Sequence, residues 1–170
     1  MKKINKMVLI GLLVAQALVL HIFESNIPIP LLTPGAKLGL ANLVTVLSLY
    51  ILNKKETFFI IISRLLLGAM FGGSLSALMY SASGAILSFI MMVVVKEGLK
   101  DKVSIIGVSA SGAIFHIIGQ ILVACAIVRN IWVSLYLPIL TVTGIATGIF
   151  IGLTCNLLVA HLNKISFMKQ

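Results

Sequence analysis

Acidic side chains are scarce in this 170-residue chain: Asp and Glu number 4 against 13 Lys and Arg, a formal net charge of +9. The one aspartate is Asp101, and the glutamates are Glu24, Glu56 and Glu97. Chemistry that holds Mg²⁺ between clustered carboxylates is beyond this chain acting alone. Cysteine is equally sparse. Cys125 and Cys155 fall in apolar runs, and with no CxxC or HxxxH spacing they read as small core residues rather than a disulfide or metal pair. No GxxxxGK[ST] pattern occurs, so nothing points to ATP hydrolysis by this chain. Charged residues make up only 10% of the sequence, where globular chains average about 25%.

What fills the chain is apolar. The hydrophobic fraction is 60% and the mean hydropathy is +1.18. Runs near the length a helix needs to cross a bilayer, roughly 20 residues, recur along it. The sequence is that of an all-α integral membrane protein. The basic amino terminus and first apolar run resemble a signal peptide. They lack a small-x-small cleavage site followed by a soluble domain, so the segment reads as a retained first helix.

Six helices are expected, over about Met7–Phe23, Ala36–Leu52, Thr57–Phe71, Ser74–Val95, Val103–Val128 and Pro138–Leu162. Ile131–Leu137 forms an interfacial lead-in to the last, and residues 1–170 read as a single six-helix transmembrane domain. An even number of spans puts both termini on one side. That side carries ten lysines, among them Lys2, Lys3, Lys54, Lys96 and Lys100, whereas the other carries only Lys37 and Arg129. The bias predicts cytoplasmic termini in the cell membrane. The surplus of lysine at helix ends accordingly reads as topology signal and contact with anionic lipid, not as a nucleic-acid surface.

Pro28–Asn42, PIPLLTPGAKLGLAN, breaks the apolar text with three prolines and two glycines. Each proline removes a backbone donor and fixes φ, so a straight helix is excluded there. Irregular backbone is tolerated at membrane depth only where protein or a water-filled cavity surrounds it. The stretch is expected on the outer face, as a lid with Lys37 and Asn42 at its inner end. On a helix those two would stand roughly 140° apart.

Arg64 lies mid-helix in IIISRLLLGAMF, where a bare charge is expensive. It is either a structural arginine bonded to carbonyls or a cation lining an anion site. All four acids fall at helix ends or in loops, which favours the second. His116 and Gln120 share a face at i, i+4, and either pack or bind ligand. Asn156 and the Tyr80, Ser81, Ser83 group are further polar positions, and Arg129 is a further candidate cation. Small-xxx-small pairs occur at Gly11/Ala15, Gly68/Gly72 and Gly144/Gly148, for internal packing or for docking another membrane subunit.

PGAKLGLAN at 34–42, RLLLGAMFGG at 64–73 and the six-helix plan resemble the Gx transporter family, also known as heptaprenyl diphosphate synthase component I. That family in turn resembles the substrate-binding S components of energy-coupling factor (ECF) transporters. The likeness runs from about Lys6 to Leu162. It implies an S-component-like bundle, not an enzyme, that binds a small vitamin or cofactor precursor from outside, with a flavin as the first candidate ligand. It further implies partners: an ECF transmembrane subunit and two cytoplasmic ATPases, the former docking at Gly11 and Ala15, where the family's usual paired alanines are here glycine and alanine. The expected ligand site comprises Lys37, Asn42, Arg64, His116, Gln120 and Asn156, with no metal and no cofactor of the protein's own. The synthase label offers the other reading, a membrane accessory to prenyl diphosphate synthesis, but a lone aspartate cannot build that reaction's metal site.

Overall fold

The computed structural model describes residues 3–25, 39–71, 74–162 and 164 of the chain. Among them are six α-helices: α1 Lys3–Ser25, α2 Asn42–Ile51, α3 Lys54–Met70, α4 Leu75–Leu99, α5 Ile105–Val128 and α6 Leu137–Leu162. Two 3-10 turns, Lys100–Lys102 and Ile131–Tyr136, lead into α5 and α6. No strand occurs among the described residues. Four segments are long and apolar enough to cross a membrane: Ile4–Glu24, Leu75–Leu99, Ile105–Val128 and Ile131–Leu162.

The helix starts have local causes. Asn53 and Glu56 open α3, the Glu56 carboxylate accepting the Asn53 N–H at 3.1 Å. Ser74 caps α4 by accepting from the Ala77 N–H at 3.1 Å, and Ser104 caps α5 by accepting from Gly107 at 3.2 Å. Each cap satisfies one of the amide donors that the first turn leaves without a helical partner. Asn130 does the same for the second 3-10 turn through the Trp132 N–H, at 2.9 Å.

Contacts between helix ends fix the up-and-down order. Lys6 pairs with Glu56 at 2.7 Å, joining the starts of α1 and α3, and Lys54 pairs with Glu97 at 2.6 Å, joining the start of α3 to the end of α4. Lys96 donates to the Leu49 carbonyl near the end of α2 and lies 4.3 Å over the Tyr50 ring. These contacts define a lysine end of the bundle, where α1 starts and α6 finishes. Glu24, near the end of α1, marks the far end.

The short α2 is the hub. It touches all five other helices, and seven of its ten residues are buried. Its apolar side joins Leu13 and Ala17 of α1, Ile60 of α3, Met92 of α4 and Ile151 of α6 in one core. The outward faces carry large apolar residues such as Val8, Phe59, Leu66, Leu122, Val142 and Phe150, all well exposed. In water such a surface would associate, whereas in lipid it is the solvated face. Between helices in lipid, close packing and polar contacts replace the hydrophobic drive.

The α4, α5 and α6 packing shows this. A Cβ on Gly148 would stand 2.9 Å from the Ala110 Cα, and one on Gly152 would stand 2.6 Å from the Ile106 Cα. The helix backbones touch there, and Ser109 donates to the Gly148 carbonyl across the seam at 2.7 Å. Gly144 and Gly148 therefore serve internal packing.

The second helix departs from expectation. It begins at Asn42, not Ala36, because Gly39 takes φ +86° and residues 39–41 form a turn. That φ favours glycine. Asn42 is thus the first residue of α2, and the expected helical separation from Lys37 does not apply; Lys37 itself lies outside the described residues. Lys96–Leu99, expected in a loop, continue α4.

Candidate binding site

Polar residues collect inside the bundle towards its far end. Glu24 of α1, Asn42 of α2, Arg64 of α3, and His116 and Gln120 of α5 are each only 3% exposed. Five such groups at one level in an apolar bundle must satisfy one another or a ligand, since burying a polar group without a partner is costly.

A chain of contacts runs through the cluster. The Glu24 carboxylate accepts the Gly39 N–H. Gly39 lies against Asn42 and His116, where an added Cβ would stand 3.0 Å from Asn42 Nδ2 and 3.2 Å from His116 Cδ2. His116 Nε2 and Gln120 Nε2 are 3.1 Å apart, as their i, i+4 spacing allows. The ring's other side faces Gly84 of α4. His21, one turn before Glu24 on α1, fits against Gly68 of α3, and Arg64 is one turn below Gly68.

Arg64 and Glu24 interact electrostatically within this interior. A buried carboxylate is thus available to Arg64, contrary to the sequence reading, which placed all four acids at helix ends or in loops and favoured an anion site on that ground. Glu24 does stand at a helix end, but α1 and the turn at Gly39 fold that end inward. Arg64 still keeps its Nε and Nη2 without hydrogen-bond partners among the described residues, as do Asn42 Oδ1 and Ser81 Oγ. The amino end of α2 opens in the same cluster, and the positive end of its dipole adds to the field there.

Of the six residues expected to bind ligand, the structure brings Asn42, Arg64, His116 and Gln120 together. Asn156 is placed elsewhere. It is exposed at the lysine end, on an open groove of about 860 Å³ lined also by Tyr50, Lys96, Glu97 and Ser104. The physical reason is direction: α6 runs towards the lysine end, so a residue late in it cannot reach the far-end cluster. Arg129 is exposed just beyond the end of α5. Tyr80 and Ser81 are buried, and Ser83 donates to the Gly119 carbonyl at 2.9 Å, a helix-to-helix bond. Gly11 and Ala15 lie exposed on α1, with no atom within 4 Å of a Cβ built on Gly11.

Sequence reasoning passed over His21, Glu24, Gly39 and Gly84. One signal was present: Glu24 is the one acid outside the lysine-end loops, and His21 precedes it at the i, i+3 spacing that shares a helix face.

The fold and its interior define a helical membrane bundle with a buried polar cluster around an arginine. A family model described as heptaprenyl diphosphate synthase component I matches residues 13–158. The chain belongs to that family. Comparison with curated proteins and with solved structures gives no match.

Proposed function

We propose that this chain is a non-catalytic membrane binding subunit for a small anionic molecule, in the manner of an ECF S component. The observation that carries the reading is Arg64, buried in the cluster with two donor nitrogens open. A merely structural arginine would spend those donors on carbonyls or on a carboxylate. Asn42, His116 and Gln120 supply hydrogen bonds around it, and Lys37 is assigned to the same ligand from its place in the sequence. The lysine bias of the opposite end supports an outward-facing cluster in a cell-membrane protein with cytoplasmic termini.

The transport partners are a transmembrane subunit and two ATPases, with the exposed Gly11 and Ala15 on α1 as the docking face. Mass spectrometry of gently purified protein tests the reading, with a retained small anion expected. A flavin, suggested by the resemblance alone, would show in the absorption spectrum of the same sample. Empty protein that also fails to capture ATPase subunits in a pull-down overturns the proposal.

A second reading has the family match in its favour: a membrane accessory, component I, of heptaprenyl diphosphate synthase. It predicts capture of a soluble, aspartate-rich prenyl synthase in that pull-down. A transporter would bring down ATPases instead.

A further inference from the structure

Arg64 offers more than a positive charge. Its open nitrogens, Nε and Nη2, lie on one edge of the guanidinium plane. That edge is a two-donor fork, and it matches two oxygens carried on one atom in the same plane. A ligand needing only a cation would be served as well by lysine.

The surrounding charges narrow the match. Among the described residues of the cluster, Arg64 and Glu24 are the two formal ions. The titratable groups packed nearby are the imidazoles of His21, against Gly68, and His116, against Gly39 and Gly84, with the Tyr80 phenol buried one turn from Gly84. With neutral imidazoles the two ions sum to zero, and Lys37, assigned to the ligand from its place in the sequence, would bring the total to one positive charge. A monoanion balances that charge, with the amino end of α2 adding to the field. A phosphate monoester adds about 1.5 to 2, and a diphosphate adds more, in an interior where each uncompensated charge is costly.

We infer that the ligand reaches Arg64 through a single carboxylate, held side-on by Nε–H and Nη2–H, and not through a phosphate or diphosphate. The inference rests on the reading of this cluster as a ligand site.

The test uses full-length protein in detergent micelles, with sodium benzoate, phosphate and pyrophosphate as probes at matched ionic strength. The fluorescence of the single tryptophan reports melting. Benzoate should raise Tm with the logarithm of its concentration once above its Kd, by about 3 °C at tenfold above it, and the phosphates no more than chloride does. Arg64→Lys keeps the charge, loses the fork and should lose about tenfold or more in benzoate affinity. Glu24→Gln leaves the cluster positive, so pyrophosphate should now stabilise; this arm serves also if Arg64→Lys fails to fold. Pyrophosphate outperforming benzoate in the natural protein, absence of a benzoate shift, or Arg64→Lys binding as the natural protein does would each overturn the inference. A retained ligand without a carboxylate would overturn it too, yet leave the binding-subunit reading intact. A benzoate shift in protein that retains no ligand and captures no ATPases would remove the transport reading alone.

Discussion

A Cβ placed on Gly84 would lie 2.8 Å from Cε1 of His116 and 3.0 Å from the His116 carbonyl oxygen. The imidazole could turn away, but the carbonyl belongs to a helix and cannot. Gly84→Ala should therefore cost about 1–3 kcal/mol, the range for overpacking a tight interior, and displace the ring from Gln120. A lowered Tm together with weaker ligand retention checks this. Gly98→Ala is the control: it sits in α4 with open space around it, and should be neutral or stabilising by up to about 1 kcal/mol.

Arg64 and Glu24 should fail singly and recover together. Arg64→Met leaves a buried carboxylate without its cation, a strongly destabilising change. Adding Glu24→Gln to Arg64→Met removes that orphan charge. A double-mutant cycle on thermal stability should show a coupling of about 0.5–3 kcal/mol. Simple additivity would mean the two charges do not sense each other.

Gly39→Ala should destabilise by about 1–2 kcal/mol, because φ +86° is left-handed for an L residue. Asn42 Nδ2, at 3.0 Å from the added Cβ, must also yield. Gly11→Ala, on an open helix face, should raise stability slightly. Melting curves of the two variants compare them directly.

The Lys6–Glu56 pair should shape the acid limb of stability. Partial burial pushes the Glu56 carboxyl up, but the hydrogen bond from Lys6, the Asn53 N–H and the Lys6 charge outweigh it, so the net shift is downward. A carboxyl lower in the folded than in the unfolded state stabilises above its unfolded value, and that contribution fades as pH falls through the folded value. Glu56→Gln should flatten the fall in Tm below the ordinary glutamate range and converge with the natural protein at the acid extreme. The effect is small, since the pair is only partly buried and water still screens it.

The bundle was legible because membrane crossing writes itself in length and hydropathy. Helices α4, α5 and α6 lie close to where apolar runs and their caps place them. The His116–Gln120 pair was legible too, because i, i+4 spacing is a local property. The start of α2 was not. A hydropathy profile runs smoothly through Gly39, whereas a single left-handed φ stops the helix. Glu24 was misread because its depth depends on how the end of α1 meets the turn at Gly39, a contact across 15 positions. Asn156 was misread for the opposite reason: its polarity was visible, but its level in the membrane follows from the direction in which α6 runs.

The glycine seams between α4, α5 and α6 have a mechanical consequence. Where backbones touch, as at Gly148 and Gly152, helices cannot slide without collision, so these three form a stiff wall. His116 and Gln120 belong to that wall, whereas Glu24 and Arg64 belong to α1 and α3, whose contacts include a histidine ring lodged at Gly68. If the cluster opens to admit a ligand, the tight α4–α5–α6 packing leaves α1 and α3 as the helices to move. A ligand spanning Arg64 and Gln120 would tie the moving part to the still one, and hydrogen exchange should register its arrival as slowing in α1 and α3 with α5 unchanged.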